Sequence, residues 1–240
     1  MLPKQVKEQL QEKYPYRIEM HAHTTPASGC SEITPPVMVQ TYRGLDYAAI
    51  ILTNHFMYQG DKRTREEYVD RYLADYEQTK SLGEAVGLKV YLGAEIRFAE
   101  NTNDYLIYGV DRDLLLTVYD YLPKGLEAFR KELAMPKSVF VQAHPLRQNI
   151  VSVDPALLDG YEAFNMHPGH NSRVGMASVF AGEHSRLIVT GGSDFHHPNR
   201  GHEGVAAMRA PRLPKDSWDV AALLRSQDYL LEIGRNHLVL

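Results

Sequence analysis

The chain has 240 residues, 44% of them hydrophobic, a length and composition typical of one folded domain rather than a disordered segment. Its 26 basic and 30 acidic residues give a net charge of −4, which argues against non-specific nucleic-acid binding. The single cysteine, Cys30, excludes an intrachain disulfide. No apolar run approaches the roughly 18 residues of a membrane span, and residues 1–16 lack a signal-peptide core. We therefore expect residues 1–240 to form a single cytoplasmic domain with no membrane partner.

Short apolar runs alternate with amphipathic segments along the chain. The runs are rich in Val, Ile, Leu and Tyr, as buried strands should be. They cover residues 17–20, 47–52, 89–92, 105–110, 138–141, 160–164, 186–190 and 204–210, with a further strand or edge piece at 229–233. Helices are predicted from Thr34 onward, over 64–86 with Gly87 as the stop, and over 126–133. This alternation predicts β/α units in a parallel sheet or barrel.

Seven of the predicted strands end in side chains that can bind a metal. These side chains are His21 with His23, His55, Glu95, Asp111, His144, His167, and Asp194 with His196. Strand residues two apart point the same way, so the His-x-His pair can hold one ion. The carboxyl ends of parallel barrel strands gather at one mouth, where active sites are built. The sequence therefore predicts a metal site at this mouth.

Two of these residues keep local alternatives. Glu95 either bridges two ions or forms a surface salt bridge, because a carboxylate buried without a partner is costly. His144 precedes Pro145, which predicts an extended backbone at His144. Taken alone, His144 is either a metal ligand or a buried histidine bonded to a carbonyl.

Five segments resemble, in order and spacing, the motifs of the PHP (polymerase and histidinol phosphatase) superfamily. They are His21-Ala22-His23-Thr24, Thr53-Asn54-His55, Gly93-Ala94-Glu95, Ala143-His144-Pro145 and Gly192-Ser193-Asp194-Phe195-His196. The resemblance covers nearly the whole chain. It implies a distorted (β/α)7 TIM-like barrel that binds two or three divalent zinc, manganese or iron ions. It further implies that His21, His23, Glu95 and Asp194 hold the first ion, Glu95 and His144 the second, and His55 and His196 the third.

The chain departs from the family pattern at three positions. Asn54 stands where members usually have an aspartate, which keeps the size and loses the charge. Cys30 falls where many members place a further Asp or His ligand, and is either a thiolate ligand or a small buried filler. Asp111 stands where some members have a histidine, and either binds the second ion or caps the next helix.

A phosphate substrate needs cations at the mouth. The candidate contacts are Arg97, Arg147, Arg173 and Arg200. Each is otherwise a solvated surface arginine. In the polar loop after the sixth strand, His167 and His170 are substrate contacts, a general acid, or histidines without a role.

The expected activity is phosphoester hydrolysis by a hydroxide bridged by two or three divalent ions. The substrate is then a phosphorylated small molecule or a nucleotide, with a nucleic-acid 5′ end also open. The alternatives are an amidohydrolase-type metallohydrolase and a non-catalytic metal-binding module. No Gly-x-Ser-x-Gly elbow, Walker loop or dinucleotide fingerprint occurs in the sequence.

Overall fold

The computed structural model describes residues 3–201, 203–234 and 237–239. The helices are α1 (Lys4–Lys13), α2 (Pro35–Gly44), α3 (Arg65–Ala85), α4 (Arg112–Tyr121), α5 (Leu126–Glu132), α6 (Val174–Glu183) and α7 (Ser217–Ser226). The strands are β1 (Tyr16–Ala22), β2 (Ala49–Leu52), β3 (His55–Met57), β4 (Lys89–Arg97), β5 (Asp104–Tyr108), β6 (Val139–Gln142), β7 (Gly160–Asn165), β8 (Ile188–Gly192), β9 (Ala206–Ala210), β10 (Leu230–Ile233) and β11 (His237–Val239).

The strands form one curled mixed sheet in the order β11-β10-β9-β1-β2-β4-β5-β6-β7-β8, with β3 beside β4. The curl brings β1 back against the segment that follows β8. There Ala22 and Phe195 form an isolated parallel bridge. Phe195 donates its N–H to the carbonyl of His21 at 3.3 Å and accepts from the N–H of His23 at 3.1 Å. The curled sheet is consistent with the predicted distorted barrel.

Strand β5 runs against the predicted parallel direction. It pairs antiparallel with both β4 and β6, whereas β1–β2, β2–β4, β6–β7 and β7–β8 are parallel. Only residues 98–103 connect β4 to β5, and a parallel crossover needs about a dozen or more. The expectation that this strand delivers Asp111 to the mouth is therefore wrong. The mouth instead receives the first residue of β5, Asp104.

Helix α3 shows how the sequence sets the element boundaries. Thr64 caps it through a reciprocal pair with Glu67, so the helix begins where predicted. Gly87, at φ +75°, follows its end. Tyr72 lies on the buried face, whereas Val86, directly after the helix, is 46% exposed. Within the described residues, no helix is long and apolar enough to cross a membrane.

Candidate metal centre

The centre is built around the Glu95 carboxylate, which reaches the mouth from within β4. Its Oε1 lies 3.3 Å from Nε2 of His21, and its Oε2 lies 3.4 Å from Nε2 of His23. All three side chains are buried. The His-x-His pair at the end of β1 therefore points both imidazoles at one carboxylate, as the alternation of strand side chains predicts.

Asp194 faces the same two imidazoles from the loop after β8. Its Oδ1 lies 3.5 Å from Nε2 of both His21 and His23. Its Oδ2 accepts hydrogen bonds from Arg147 at 2.7 Å and from Asn165 at 3.1 Å. Asp194 has φ +51°, a left-handed conformation that costs energy for a non-glycine residue. Arg147 is thus held by the cluster through Asp194.

A second group extends the cluster towards β5 and β6. His144 Nε2 lies 3.3 Å from Glu95 Oε1 and 3.7 Å from Asp104 Oδ2. Arg97 donates two 2.7 Å hydrogen bonds to the Asp104 carboxylate. Asp104 was not predicted from the sequence, because it reaches the mouth only through the reversed direction of β5.

The backbone of His144 differs from the extended conformation that Pro145 predicts. Its φ is +33°, in the left-handed region. The Glu162 carboxylate accepts the His144 N–H at 3.0 Å, and the His144 carbonyl accepts the Arg147 N–H at 3.0 Å. These two contacts hold a turn that overrides the local preference of a residue before proline.

A third group lies on the solvent side of the cluster. His55 Nδ1 is 2.8 Å from Glu95 Oε2, and the Nε2 atoms of His55 and His196 are 3.5 Å apart. Cys30 is exposed, so it is not a buried filler. Although partial burial opposes ionisation, hydrogen bonds with His196 and His55 lower the pKa of the Cys30 thiol to about 6. The predicted Cys30, His55 and His196 therefore meet at one place.

Several buried polar atoms at the centre lack a hydrogen-bond partner. They are Nε2 of His21, Nε2 of His23 and, apart from its 2.8 Å contact with Nδ1 of His55, the Glu95 carboxylate. Buried polar groups are normally satisfied, so such a concentration indicates a missing ligand. Three sets have ligand atoms within 4.8 Å of one another: His21, His23 and Glu95; His23, His55 and His196; and His55, Glu95 and Asp104. Imidazole and carboxylate donors suit zinc, manganese or iron, so the donor set fits divalent ions.

Surrounding residues fix the ring nitrogen that each histidine presents. Glu162 accepts from Nδ1 of His21 at 2.8 Å. Ser28 donates its hydroxyl to Asn54 at 3.0 Å, so it accepts from Nδ1 of His23 at 3.1 Å. Both contacts leave Nε2 with its lone pair facing the cluster, as metal-binding histidines require. Burial, with His196 and His55 nearby, also holds the pKa of His23 well below its usual value.

Asn54 is uncharged, but it bonds to a carboxylate that lies next to it. Its side-chain amide donates to the buried Asp75 carboxylate of α3 at 2.8 Å, and its oxygen accepts the Thr24 N–H at 2.7 Å. Thr24 also donates its hydroxyl to Asp75. Members of the PHP superfamily usually carry a carboxylate at position 54. In this chain the nearest such group is Asp75, on the neighbouring helix α3.

Glu19 links β1 to the segment after β8, the two parts of the chain that the curl of the sheet brings together. Its Oε1 accepts from the backbone N–H groups of Met20, His21 and Ser193 at 2.9–3.0 Å. Its Oε2 accepts from the hydroxyls of Ser193 at 2.6 Å and Tyr42 at 2.8 Å. Burial raises the pKa of this carboxyl group. Glu19 therefore sets the spacing between His21 and Asp194.

The remaining predicted residues lie at or beyond the rim. Asp111 caps α4 by accepting from the Leu114 N–H at 2.9 Å. The His167 ring lies tilted against the His170 ring, with centroids 4.8 Å apart, and its centroid is 5.7 Å from that of His196. Burial lowers the pKa of His167 to about 3. Arg173 and Arg200 are exposed.

A cleft of about 560 Å³ opens beside the third group. His55 and Cys30 line it at the cluster, together with Arg97. Two further arginines, Arg63 and Arg71, line the same cleft. Neither was predicted from the sequence, because Arg63 precedes a helix and Arg71 lies within it, away from every strand end.

Several solved structures share this fold, among them the following three. A Bifidobacterium adolescentis protein whose assignment as a metal-dependent phosphoesterase is provisional matches at 16% identity and a TM-score of 0.50 over 86% of this chain and 95% of its own. A two-domain Bacteroides vulgatus protein containing a predicted PHP-like metal-dependent phosphoesterase matches at 16% identity and a TM-score of 0.61 over 91% of this chain and 65% of its own. A Chromobacterium violaceum amidohydrolase with bound sulfate and no metal matches at 13% identity and a TM-score of 0.50 over 76% of this chain and 88% of its own.

No protein-family model and no curated protein matches the chain. At these identities the likeness shows the fold alone, and that fold is consistent with the one implied by the resemblance drawn from the motifs.

Proposed function

We propose that this protein is a metal-dependent phosphoesterase of the PHP type that holds two or three divalent ions. The observation that carries the proposal is the set of buried ring nitrogens and Glu95 oxygens that face one another without hydrogen-bond partners. A buried cluster of this kind is costly unless a cation neutralises it.

The ligands divide into three overlapping sets around Glu95. His21, His23 and Asp194 complete the first, and His55, His196 and Cys30 form the outermost. His144 and Asp104 complete the one between Glu95 and β5. Bound ions would lower the pKa of a coordinated water and neutralise phosphate charge.

Residues of the chain would keep this arrangement ready for substrate. Glu162 holds the His21 ring, and Glu19 holds the backbone on both sides of it. Arg147 and Asn165 orient the Asp194 carboxylate. Because these supports are formed by buried protein groups, little reorganisation would accompany substrate binding.

Two observations favour a phosphoester as the substrate. Arg97 lines the cleft beside the cluster together with His55 and Cys30, and a guanidinium group matches phosphate geometry. Two of the proteins with this fold are described as metal-dependent phosphoesterases. A second candidate, an amidohydrolase activity, is favoured by the Chromobacterium violaceum neighbour.

Phosphate release from an aryl phosphate tests the proposal, with the matched aryl acetamide as the amidohydrolase substrate. The protein is first loaded with Mn²⁺ or Zn²⁺. We expect metal-dependent phosphate release that Asp194→Asn abolishes, while Asp113→Asn, an exposed change on α4, leaves it intact. Release that persists after chelation, or hydrolysis of the acetamide alone, would overturn the phosphoesterase proposal.

A further inference from the structure

The cleft beside the metal centre carries two cations that the proposed chemistry does not use. His55 and Cys30 line it at the metal centre together with Arg97, and Arg63 and Arg71 also line it. Arg63 directly precedes Thr64, the cap of α3, and Arg71 lies on that helix, so both belong to the α3 side of the cleft. The cleft therefore joins the metal centre to a separate pair of cations.

The three arginines differ in how their charge is balanced. Arg97 makes a bidentate pair with Asp104 and is largely neutralised. Within the part of the chain that the structure describes, Arg63 and Arg71 form no ion pair. In a protein of net charge −4, two such cations on one cleft are a local excess of positive charge.

Nearby carboxylates are committed to other partners, which explains this excess. Glu66 pairs with Arg65 at 2.7 Å. Glu67 accepts the Thr64 N–H at 3.0 Å in the helix cap. Asp70 pairs with Arg112 at 2.8 Å. Glu66, Glu67 and Asp70 are therefore engaged with other groups, and none of the three lines the cleft.

Part of the cleft wall is apolar. Pro26 and Ala27 line it, as do Met57 and the rings of Tyr68 and Tyr72. The Tyr68 and Tyr72 hydroxyls are already used, since they bond the Met57 N–H at 2.9 Å and the Gly93 carbonyl at 2.9 Å. The rings therefore offer apolar surface, which suits a flat or hydrocarbon group.

We propose that Arg63 and Arg71 form a second anion-binding subsite. The preferred substrate is then a phosphoester that carries a further anionic group, a carboxylate or a phosphate, beyond an apolar or aromatic spacer. The scissile phosphate lies at the metal centre, the spacer lies between Met57 and Tyr68, and the second anion pairs with the two guanidinium groups. This inference rests on the proposed phosphoesterase function for the orientation of the substrate.

Binding of non-hydrolysable ligands tests the subsite without relying on turnover. Calorimetric titration of the metal-loaded protein compares benzylphosphonate with 4-carboxybenzylphosphonate and with xylylene bisphosphonate. The last two ligands each carry a second anionic group, so comparing them distinguishes a preference for a carboxylate from a preference for a phosphate. The variants are Arg63→Gln/Arg71→Gln and, as a control, Arg65→Gln on the same helix, whose guanidinium pairs with Asp120 at 2.6 Å outside the cleft lining.

We expect the wild type to bind one or both of the ligands with a second anion at least about tenfold more tightly than it binds benzylphosphonate. The double variant should lose this preference while its affinity for benzylphosphonate stays within about twofold, and Arg65→Gln should behave as wild type. Equal affinity of the wild type for all three ligands, an equal loss for all three in the double variant, or no binding of any would overturn the subsite. Because no hydrolysis is measured, an inactive protein that shows the preference would contradict the phosphoesterase proposal and leave the subsite supported.

Discussion

Glu162 and His21 form a buried hydrogen bond of 2.8 Å between a carboxylate oxygen and Nδ1 of the imidazole. The contact fixes the tautomer, so Nε2 presents its lone pair to Glu95 and Asp194. The same carboxylate accepts the His144 N–H through its other oxygen at 3.0 Å. One side chain in the middle of β7 thus supports histidines from two other strands.

Replacing Glu162 with Gln should weaken metal binding without unfolding the protein. The amide can still accept one hydrogen bond, but it removes the negative charge that raises the basicity of the His21 ring. Outer partners of this kind are worth about 10- to 100-fold in metal affinity. Competition with a chelating dye measures the affinity, and the exposed Glu127→Gln serves as control. Unchanged affinity in Glu162→Gln would show that this carboxylate does not support a metal ligand.

Asp104 should behave as a ligand of the ion that His144 binds. Asp104→Asn keeps the size of the side chain and its place beside Arg97, but it loses the negative charge that would bind an ion. We expect it to lose one ion per chain, the same ion that His144→Ala loses, because both side chains approach Glu95 from one side. Elemental analysis of the two single variants and the double variant gives the count. An additive loss of two ions in the double variant would contradict a shared site.

Cys30 should bind the outermost ion through its sulfur. Substitution of the protein with Co²⁺ should produce a sulfur-to-cobalt charge-transfer band, because Cys30 lies with His55 and His196. Since the chain has one cysteine, the band has a single possible origin. It should vanish in Cys30→Ser while the ligand-field bands of the other ions persist. A cobalt-loaded protein without this band would exclude thiolate ligation.

Glu19→Ala should destabilise the fold itself. The change leaves the backbone N–H groups of His21 and Ser193 and the Tyr42 hydroxyl without their acceptor in a buried place. At about 1–3 kcal/mol for each unsatisfied group, we expect a loss of at least about 3 kcal/mol in the free energy of unfolding. Urea unfolding of the chelator-treated protein measures it, and Glu183→Ala, an exposed position in α6, is the control. A loss below about 1 kcal/mol would mean that solvent or other groups replace Glu19.

The sequence was most informative where a short apolar run ends in a metal-capable side chain. His21, His23 and Glu95 could be placed together because side-chain direction alternates along a strand and neighbouring parallel strands end at one edge. The boundaries of α3 were predictable because Thr64 and Gly87 are local signals for a start and a stop.

Other parts of the centre depend on contacts between distant segments. Glu162 lies inside the Tyr161-Glu162-Ala163 stretch of a strand, and no local signal shows that it faces His21, 141 residues away. Asp104 was missed because its position depends on the direction of β5. The short connection over residues 98–103, too short for a crossover helix, was the available signal for that reversal.

The most direct test of the central claim is the metal content of the purified protein and of the His21→Ala/Asp194→Ala variant. Elemental analysis after incubation with Mn²⁺ or Zn²⁺ and removal of excess metal gives ions per chain. We predict two or three ions in the wild type and the loss of at least one in the variant, with circular dichroism unchanged. One ion or none in the metal-incubated wild type would contradict a multinuclear centre at this mouth.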